Sequence, residues 1–314
     1  MYRHILVALD GSDFGERALP MAVTLAKASG AQVTLVRAAW TTVAPGTDAI
    51  EAQRKVVADA ETYLAGVASR LLAEGINAEA AVPYAAAAEG ILAEITVRHA
   101  DMVVMCTHGR SGLGRWVYGS AAAAVLAKSS VPVLLVRPIG PLARLLAASA
   151  TPAVLLPVDG SAFSEAALPH AVMLVRALAG ALVLLRVVAP PLGCYPDPVL
   201  GQPYVSDVGE RLIDDAEQEA EQYVTDLAGR LAAEGLAVQH AVRVGFPSET
   251  ILDEAKTAGA QLIVMATHGR TGLGEMLLGS VALDVLRRGA LPLLLVRPPD
   301  LGAAASITSG SEQW

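Results

Sequence analysis

The feature that most restricts this chain is that it carries the same fold-specifying text twice. Residues 101–137 and 261–297 align without a gap, and 19 of the 37 positions are identical. Identity at that density marks a duplicated structural unit, so each half must close a core of the same design and present the same kind of surface. The match extends towards the amino terminus at two offsets. The segment ending Asp10-Gly11-Ser12 returns as the one ending Asp159-Gly160-Ser161, 149 residues on, and Tyr63–Val82 returns as 223–242, 160 residues on. The eleven-residue difference falls after the second apolar run of the second half, in the proline-rich stretch 190–198.

Within each unit, short apolar runs alternate with helical periods. In the first, Ile5–Leu9 predicts a buried strand ending at Asp10. Phe14–Ser29 predicts one helix, with Ala18, Leu19, Ala22, Leu25 and Ala26 on a common side and Gly30 as its stop. Strand two is expected over Gln32–Arg37, a long helix over Asp48–Glu74, strand three over Ile76–Val82 and a short helix over Ala88–His99. Strand four (Asp101–Met105), a helix within Trp116–Ser129 and strand five (Val131–Arg137) complete the unit. Strands this apolar, alternating with helices, predict an α/β fold with a parallel sheet covered on both faces. The expected organisation is a domain over 1–138, a linker over 139–152 punctuated by Gly140, Pro141 and Pro152, a second domain over 153–300, and an Ala/Ser/Gly-rich tail over 301–314.

Composition removes several classes of function. The chain is 54% hydrophobic and 17% charged, yet its apolar runs are far shorter than the roughly 20 residues that cross a bilayer. Twenty-three basic against 31 acidic residues leave a net charge of −8 without a compensating basic cluster, which argues against a nucleic-acid partner. Cys106 and Cys194 occupy unmatched positions in the two halves, so neither a disulfide framework nor a metal site follows from them. The first residues run straight into a strand, and a cytoplasmic protein without signal peptide or membrane partner is expected.

The chemistry concentrates after strand four. Cys106-Thr107-His108-Gly109-Arg110-Ser111-Gly112-Leu113-Gly114 runs on to Gly119-Ser120 and a helix; Ala266-Thr267-His268-Gly269-Arg270-Thr271-Gly272-Leu273-Gly274 runs on to Gly279-Ser280 and another. A glycine-rich turn from strand to helix leaves backbone N–H groups uncovered, and such groups hold phosphate. Gly109, Gly112, Gly119, Gly269, Gly272 and Gly279 are the expected backbone contacts, and the Ser120 and Ser280 hydroxyls can add a bond each. Arg110 and Arg270 read either as phosphate contacts or as solvated turn residues. Asp10 and Asp159 reach the same place if strands one and four are neighbours, facing ribose hydroxyls or metal-bound water, or merely capping the next helix. His108 and His268 have no acid or cysteine partner at a fixed spacing and read as loop-holding residues. Neither a Gly-x-Gly-x-x-Gly after strand one nor a Gly-Lys-Ser/Thr loop is present, no lysine sits in either turn, and no acid–base pair is evident. No catalytic residue is assigned.

With these motifs in place, the chain resembles the universal stress protein family in its tandem two-domain form, over about residues 3–138 and 152–298. Nucleotide-binding members carry Gly-x2-Gly-x9-Gly-Ser/Thr after strand four. The second glycine maps to Gly109 and Gly269, the closing pair to Gly119-Ser120 and Gly279-Ser280, and the family's strand-one aspartate to Asp10 and Asp159. The resemblance implies two Rossmann-like domains, each a five-stranded parallel sheet in the order 3-2-1-4-5, joined through their fifth strands (Val131–Arg137 and Leu291–Arg297). A strand that apolar would otherwise be an exposed edge. It further implies an adenine nucleotide (ATP, ADP or AMP, with or without Mg²⁺) whose base rests near the end of strand two, at Arg37–Trp40 or Arg186–Ala189. The role implied is that of a stress-response sensor or regulator with at most slow hydrolysis, with a homodimer as an open alternative. Two departures stand out. The first motif glycine is Cys106 in one half and Ala266 in the other, which keeps open a stress protein acting through protein contacts without nucleotide. The turn before helix three holds Gly245 in the second half but Ala85 in the first, so the second half is the expected binder.

Overall fold

The computed structural model describes residues 1–41, 48–107, 119–137, 151–190, 207–267 and 278–298. The first half comprises β1 (His4–Ala8), α1 (Asp13–Glu16), α2 (Leu19–Ser29), β2 (Gln32–Val36), α3 (Ala49–Ala73), β3 (Ala78–Ala81), α4 (Ala87–Arg98), β4 (Met102–Cys106), α5 (Ser120–Lys128) and β5 (Val133–Val136). The second repeats it with β6 (Ala153–Val158), α6 (Ala162–Glu165), α7 (Leu168–Ala177), β7 (Ala181–Val188), α8 (Asp207–Ala233), β8 (Val238–Val244), α9 (Pro247–Thr257), β9 (Leu262–Ala266), α10 (Ser280–Arg288) and β10 (Leu293–Val296). The expected alternation is present in both.

All ten strands form one sheet, in the order β3-β2-β1-β4-β5-β10-β9-β6-β7-β8. Each half is parallel and has the 3-2-1-4-5 order, so the fold is a pair of Rossmann-like α/β units. The halves meet where β5 and β10 run antiparallel, with Val133 opposite Leu295, Leu134 opposite Leu294 and Leu135 opposite Leu293. Every residue of both strands is buried. Left at an edge, each would expose unpaired backbone groups on an apolar ribbon; pairing them removes both edges at once.

Side-chain alternation then divides the strands between two cores. Ile5, Val7, Leu134 and Val136 join the face packed by α2, α3, α7 and α8, through Met21, Leu64, Leu174 and Val224. Leu6, Ala8, Val133 and Leu135 join the face packed by α4, α5, α9 and α10, through Ile91, Val125, Ile251 and Val285. Both clusters draw on both halves, so the two units share their hydrophobic layers.

The helix expected over Phe14–Ser29 is two. Ser12 caps α1, its hydroxyl accepting from the Gly15 amide at 3.1 Å, and the chain re-enters a helix at Leu19 with Pro20 in the first turn. Proline suits that position because an amide there has no helical acceptor, and it disfavours continuous helix through the residue before it. Pro169 repeats the break at the start of α7. The Gly30 stop is as expected: at φ +68° its amide donates to Ala26 O at 2.8 Å. Residues 139–150 of the expected linker, and the tail, lie outside the described residues.

Candidate functional site

β1 lies between β2 and β4, so the residues that leave its carboxyl end emerge beside the end of β4. Asp10 and Asp159 stand there, each folded into a tight turn. Ser12 donates its amide to Asp10 Oδ1 at 3.0 Å and its hydroxyl to the same oxygen at 2.7 Å. Ser161 does the same to Asp159 Oδ1, at 2.9 and 2.5 Å. The serines in turn cap α1 and α6. Capping is therefore carried by the serines, while one oxygen of each aspartate holds the capping residue in place.

The halves differ beneath that turn. A Cβ on Gly15 would come within 2.4 Å of Asp10 Oδ1, so only glycine fits the turn as it stands. The equivalent residue, Ser164, is buried and accepts the Asp159 amide on its hydroxyl at 3.1 Å.

The strand-four turns are tied at the base. Gly119 donates its amide to Thr107 O at 2.7 Å, and Gly279 donates to Thr267 O at 2.6 Å. Thr107 and Thr267 are buried, and their own amides extend the ladder to Val136 O and Val296 O. This corrects the expectation that the Gly119 and Gly279 amides face a ligand, because both are spent on the turn. The amides open to one begin at Ser120 and Ser280, in the first turns of α5 and α10, where helix geometry leaves no internal acceptor. Neither helix has a side-chain N-cap bond. His108, Gly109, Arg110 and Gly112, with His268, Gly269, Arg270 and Gly272, lie outside the described residues.

In the second half these pieces enclose a cavity of about 440 Å³. Its floor is Asp159 and Thr267; one wall is Arg186–Ala189, beyond the end of β7; another is the first turn of α10, Gly279–Ala282. Ile251 and Met265 supply apolar surface. The cavity thus joins the carboxylates of Asp159 and Glu219, a helix amino terminus with its partial positive charge, and an aliphatic wall. Gly245 stands just before α9, and its amide donates to Val188 O at 3.0 Å. A Cβ there would meet Thr250 Oγ1 at 2.5 Å. In the first half Gly90 takes the place of Thr250, so Ala85 is no longer opposed by a branched hydroxyl and glycine is not demanded there.

Two further positions, each present in both halves, were missed in the sequence: Tyr63/Tyr223 and Glu16/Glu165. Tyr223 donates its hydroxyl to Glu165 Oε1 at 2.7 Å, close to Arg186 and Asp159. Tyr63 lies under the Arg37 guanidinium, 5.0 Å from its ring centroid, near Glu16 and Asp10. Burial first, and the neighbouring glutamate second, raise both phenols well above their ordinary pKa, so each remains a donor. Glu16/Glu165 and Arg37/Arg186 repeat at the offset of 149, and Tyr63/Tyr223 at 160. The duplication itself was the signal that could have found them.

Two Rossmann-like sheets fused through their fifth strands, each with an aspartate at the end of strand one and a glycine-led helix beside strand four, define a duplicated α/β protein with its polar residues gathered at the strand ends. The chain belongs to the universal stress protein family, whose sequence pattern matches residues 1–137 and 152–297. It is 33% identical to a universal stress protein of Mycolicibacterium smegmatis over 206 residues, which cover 64% of this chain and 63% of that one. It is 33% identical to the universal stress protein YxiE of Bacillus subtilis over 148 residues, covering 46% of this chain and 97% of that one. The fold matches the crystal structure of a universal stress protein from Archaeoglobus fulgidus with a TM-score of 0.69 at 21% identity, over 94% of this chain and 98% of that one. The chain spans 63% of the length of the Mycolicibacterium relative. Among the described residues, no helix is long and apolar enough to cross a membrane.

Proposed function

We propose that the chain binds an adenine nucleotide (ATP, ADP or AMP) at the carboxyl edge of its sheet, with the second half as the principal site, and serves as a cytoplasmic sensor or regulator. The observation that carries this reading is the cavity of about 440 Å³ joining Asp159, the Arg186–Ala189 segment and the first turn of α10. Its volume lies in the range of small-molecule sites. The α10 amides and the Ser280 hydroxyl suit phosphate, with Gly269, Arg270 and Gly272 completing the turn; Asp159 suits ribose hydroxyls and the aliphatic wall a base. In the first half the same roles fall to Ser120, Asp10, Gly109, Arg110 and Gly112. Mg²⁺, where present, would be held by the phosphates and water, because among the described residues no group of three or more His, Cys, Asp or Glu is placed to hold a metal. The domains 1–138 and 153–300, with linker 139–152 and tail 301–314, form the proposed units.

Titration calorimetry with ATP, ADP and AMP, with and without Mg²⁺, tests this. Saturable heat is expected, and Gly279→Leu should remove its second-half share while the first-half share remains. Glycine there has φ −60° and ψ 151°, open to any residue, so the substitution obstructs the cavity without forcing the backbone. Absence of heat with all three nucleotides would overturn the reading and favour a stress protein acting through protein contacts. That second reading has its own support in Cys106 and Ala266, whose side chains replace the first motif glycine at the ends of β4 and β9.

A further inference from the structure

We propose that the first half recognises the base of its nucleotide by stacking on Trp40, an aromatic platform that the second half lacks. The inference rests on the nucleotide reading above and adds to it a specificity residue confined to one half. Trp40 is 57% exposed and Tyr84 38%, in a chain with only 4% aromatic residues. Their rings are 5.3 Å apart between centroids, tilted by 42°. Tyr84 thus braces the indole from one side and leaves much of its surface open.

The platform is held by backbone. Beyond the ends of β2 and β3 the ladder continues, with Arg37 N donating to Ala81 O at 3.1 Å and Ala39 N to Pro83 O at 2.9 Å. These bonds fix Ala39 and Pro83, the residues immediately before Trp40 and Tyr84. From above, α4 presses onto the same pair of segments: a Cβ on Gly90 would meet Pro83 Cγ at 2.8 Å and Ala38 Cβ at 3.2 Å. Ala38 therefore faces α4, and Trp40, two residues further along an extended segment, is carried to the same side. That side also holds α5, whose first-turn amides open towards a ligand.

The duplication gives the position its meaning. At the offset of 149, Ala38 corresponds to Val187 and Trp40 to Ala189; at 160, Ile91 corresponds to Ile251 and Ser120 to Ser280. All four second-half residues line the cavity. Where the second half has the methyl of Ala189 against its cavity, the first has an indole. A large exposed aromatic at the wall of a polar site suits a flat ring with a π-face, and a purine on the same molecule whose phosphate meets α5 supplies one.

Trp116→Phe/Trp314→Phe leaves Trp40 as the sole tryptophan, and Gly279→Leu closes the second-half site. On that background, AMP is titrated while the Trp40 emission and the heat are followed, with ribose 5-phosphate as the base-free control. Saturable quenching by AMP and none by ribose 5-phosphate is expected. Trp40→Ala should weaken AMP binding roughly 5- to 150-fold, the range set by loss of one base–aromatic stack, while Trp40→Phe retains most of it. Trp40 is exposed, so folding of either variant is checked simply by circular dichroism. AMP binding with unchanged emission, or equal affinity in Trp40→Ala, would overturn the platform and leave the nucleotide reading standing. The same holds if all heat vanishes with Gly279→Leu. No heat even in the parent chain would overturn both.

Discussion

Arg297 donates to the carbonyl of Ala127 at 3.1 Å, from the last strand of one half to the last helix of the other. Arg137 makes the reciprocal reach, donating to Leu286 O. Both arginines directly follow a seam strand, and both acceptors lie in the final turn of a helix, where carbonyls lack internal donors and the helix dipole is negative. The seam is therefore fastened twice by charge, once on each side of the β5–β10 pair.

Replacing these arginines by alanine should weaken the whole fold. The exposed Arg297 is expected to cost about 0.3–1 kcal/mol and the half-buried Arg137 up to about 2 kcal/mol. Urea unfolding followed by circular dichroism reads both. A double variant with the parent midpoint would show that the seam depends on its strands alone.

Gly245→Ala should destabilise the second half by about 1–3 kcal/mol, because the new methyl meets Thr250 Oγ1 at 2.5 Å. Thr250→Ala removes that oxygen and leaves only ordinary contact, the Thr250 Cβ lying 3.8 Å away. The double variant should thus be close to Thr250→Ala alone in a thermal melt. Additive losses would mean that glycine is needed there for another reason.

Gly15→Ala should displace the Asp10 carboxylate from Ser12, since the added Cβ falls 2.4 Å from Asp10 Oδ1. A cost of about 1–3 kcal/mol is expected, together with weaker ligand binding in the first half and unchanged binding in the second. Calorimetry on a Gly279→Leu background isolates the first-half effect. Unaltered stability would show that the carboxylate can turn aside freely.

Between the halves, the Tyr2 hydroxyl lies 2.9 Å from His170 Nδ1. Burial lowers the His170 pKa, against a smaller opposing pull from Asp101, and burial raises that of Tyr2, so a protonated phenol donates to a neutral imidazole. Because the folded pKa lies below the unfolded value of about 6.5, the unfolded chain takes up the proton first. Stability contributed here is complete above pH 6.5 and is lost as pH falls through that value towards the folded pKa. The slope is at most about 1.4 kcal/mol per pH unit. Melting temperatures from pH 8 to 5 should fall less steeply in His170→Phe; parallel curves would refute the assignment.

Much of the architecture was legible because it depends on period and repetition. The apolar runs from Ile5 and Val131 needed no tertiary information to be read as buried strands, and their repeats doubled the signal. The break between Glu16 and Leu19 was harder, since the apolar spacing of Ala18, Leu19 and Ala22 continues through it and only Pro20 betrays it. The turn at the end of strand one was legible in its local sequence, Asp10-Gly11-Ser12. The site was obscure where side chains meet through space. The Tyr223–Glu165 pair spans 58 residues, and nothing in either local sequence links the two. The role of the Gly119 amide was misjudged because its acceptor, Thr107 O, lies at the far end of the turn.

The antiparallel seam has a geometrical outcome of its own. Two units whose strands point alike internally, joined head to tail, send their carboxyl rims to opposite poles of the molecule. A small ligand lodged at one pole cannot touch one lodged at the other, and a compact partner that covers one rim leaves the other bare. Any message between them must cross the seam, through the sheet where Leu134 and Leu294 stand opposite each other or through the bonds that Tyr2, Arg137 and Arg297 make to the other half.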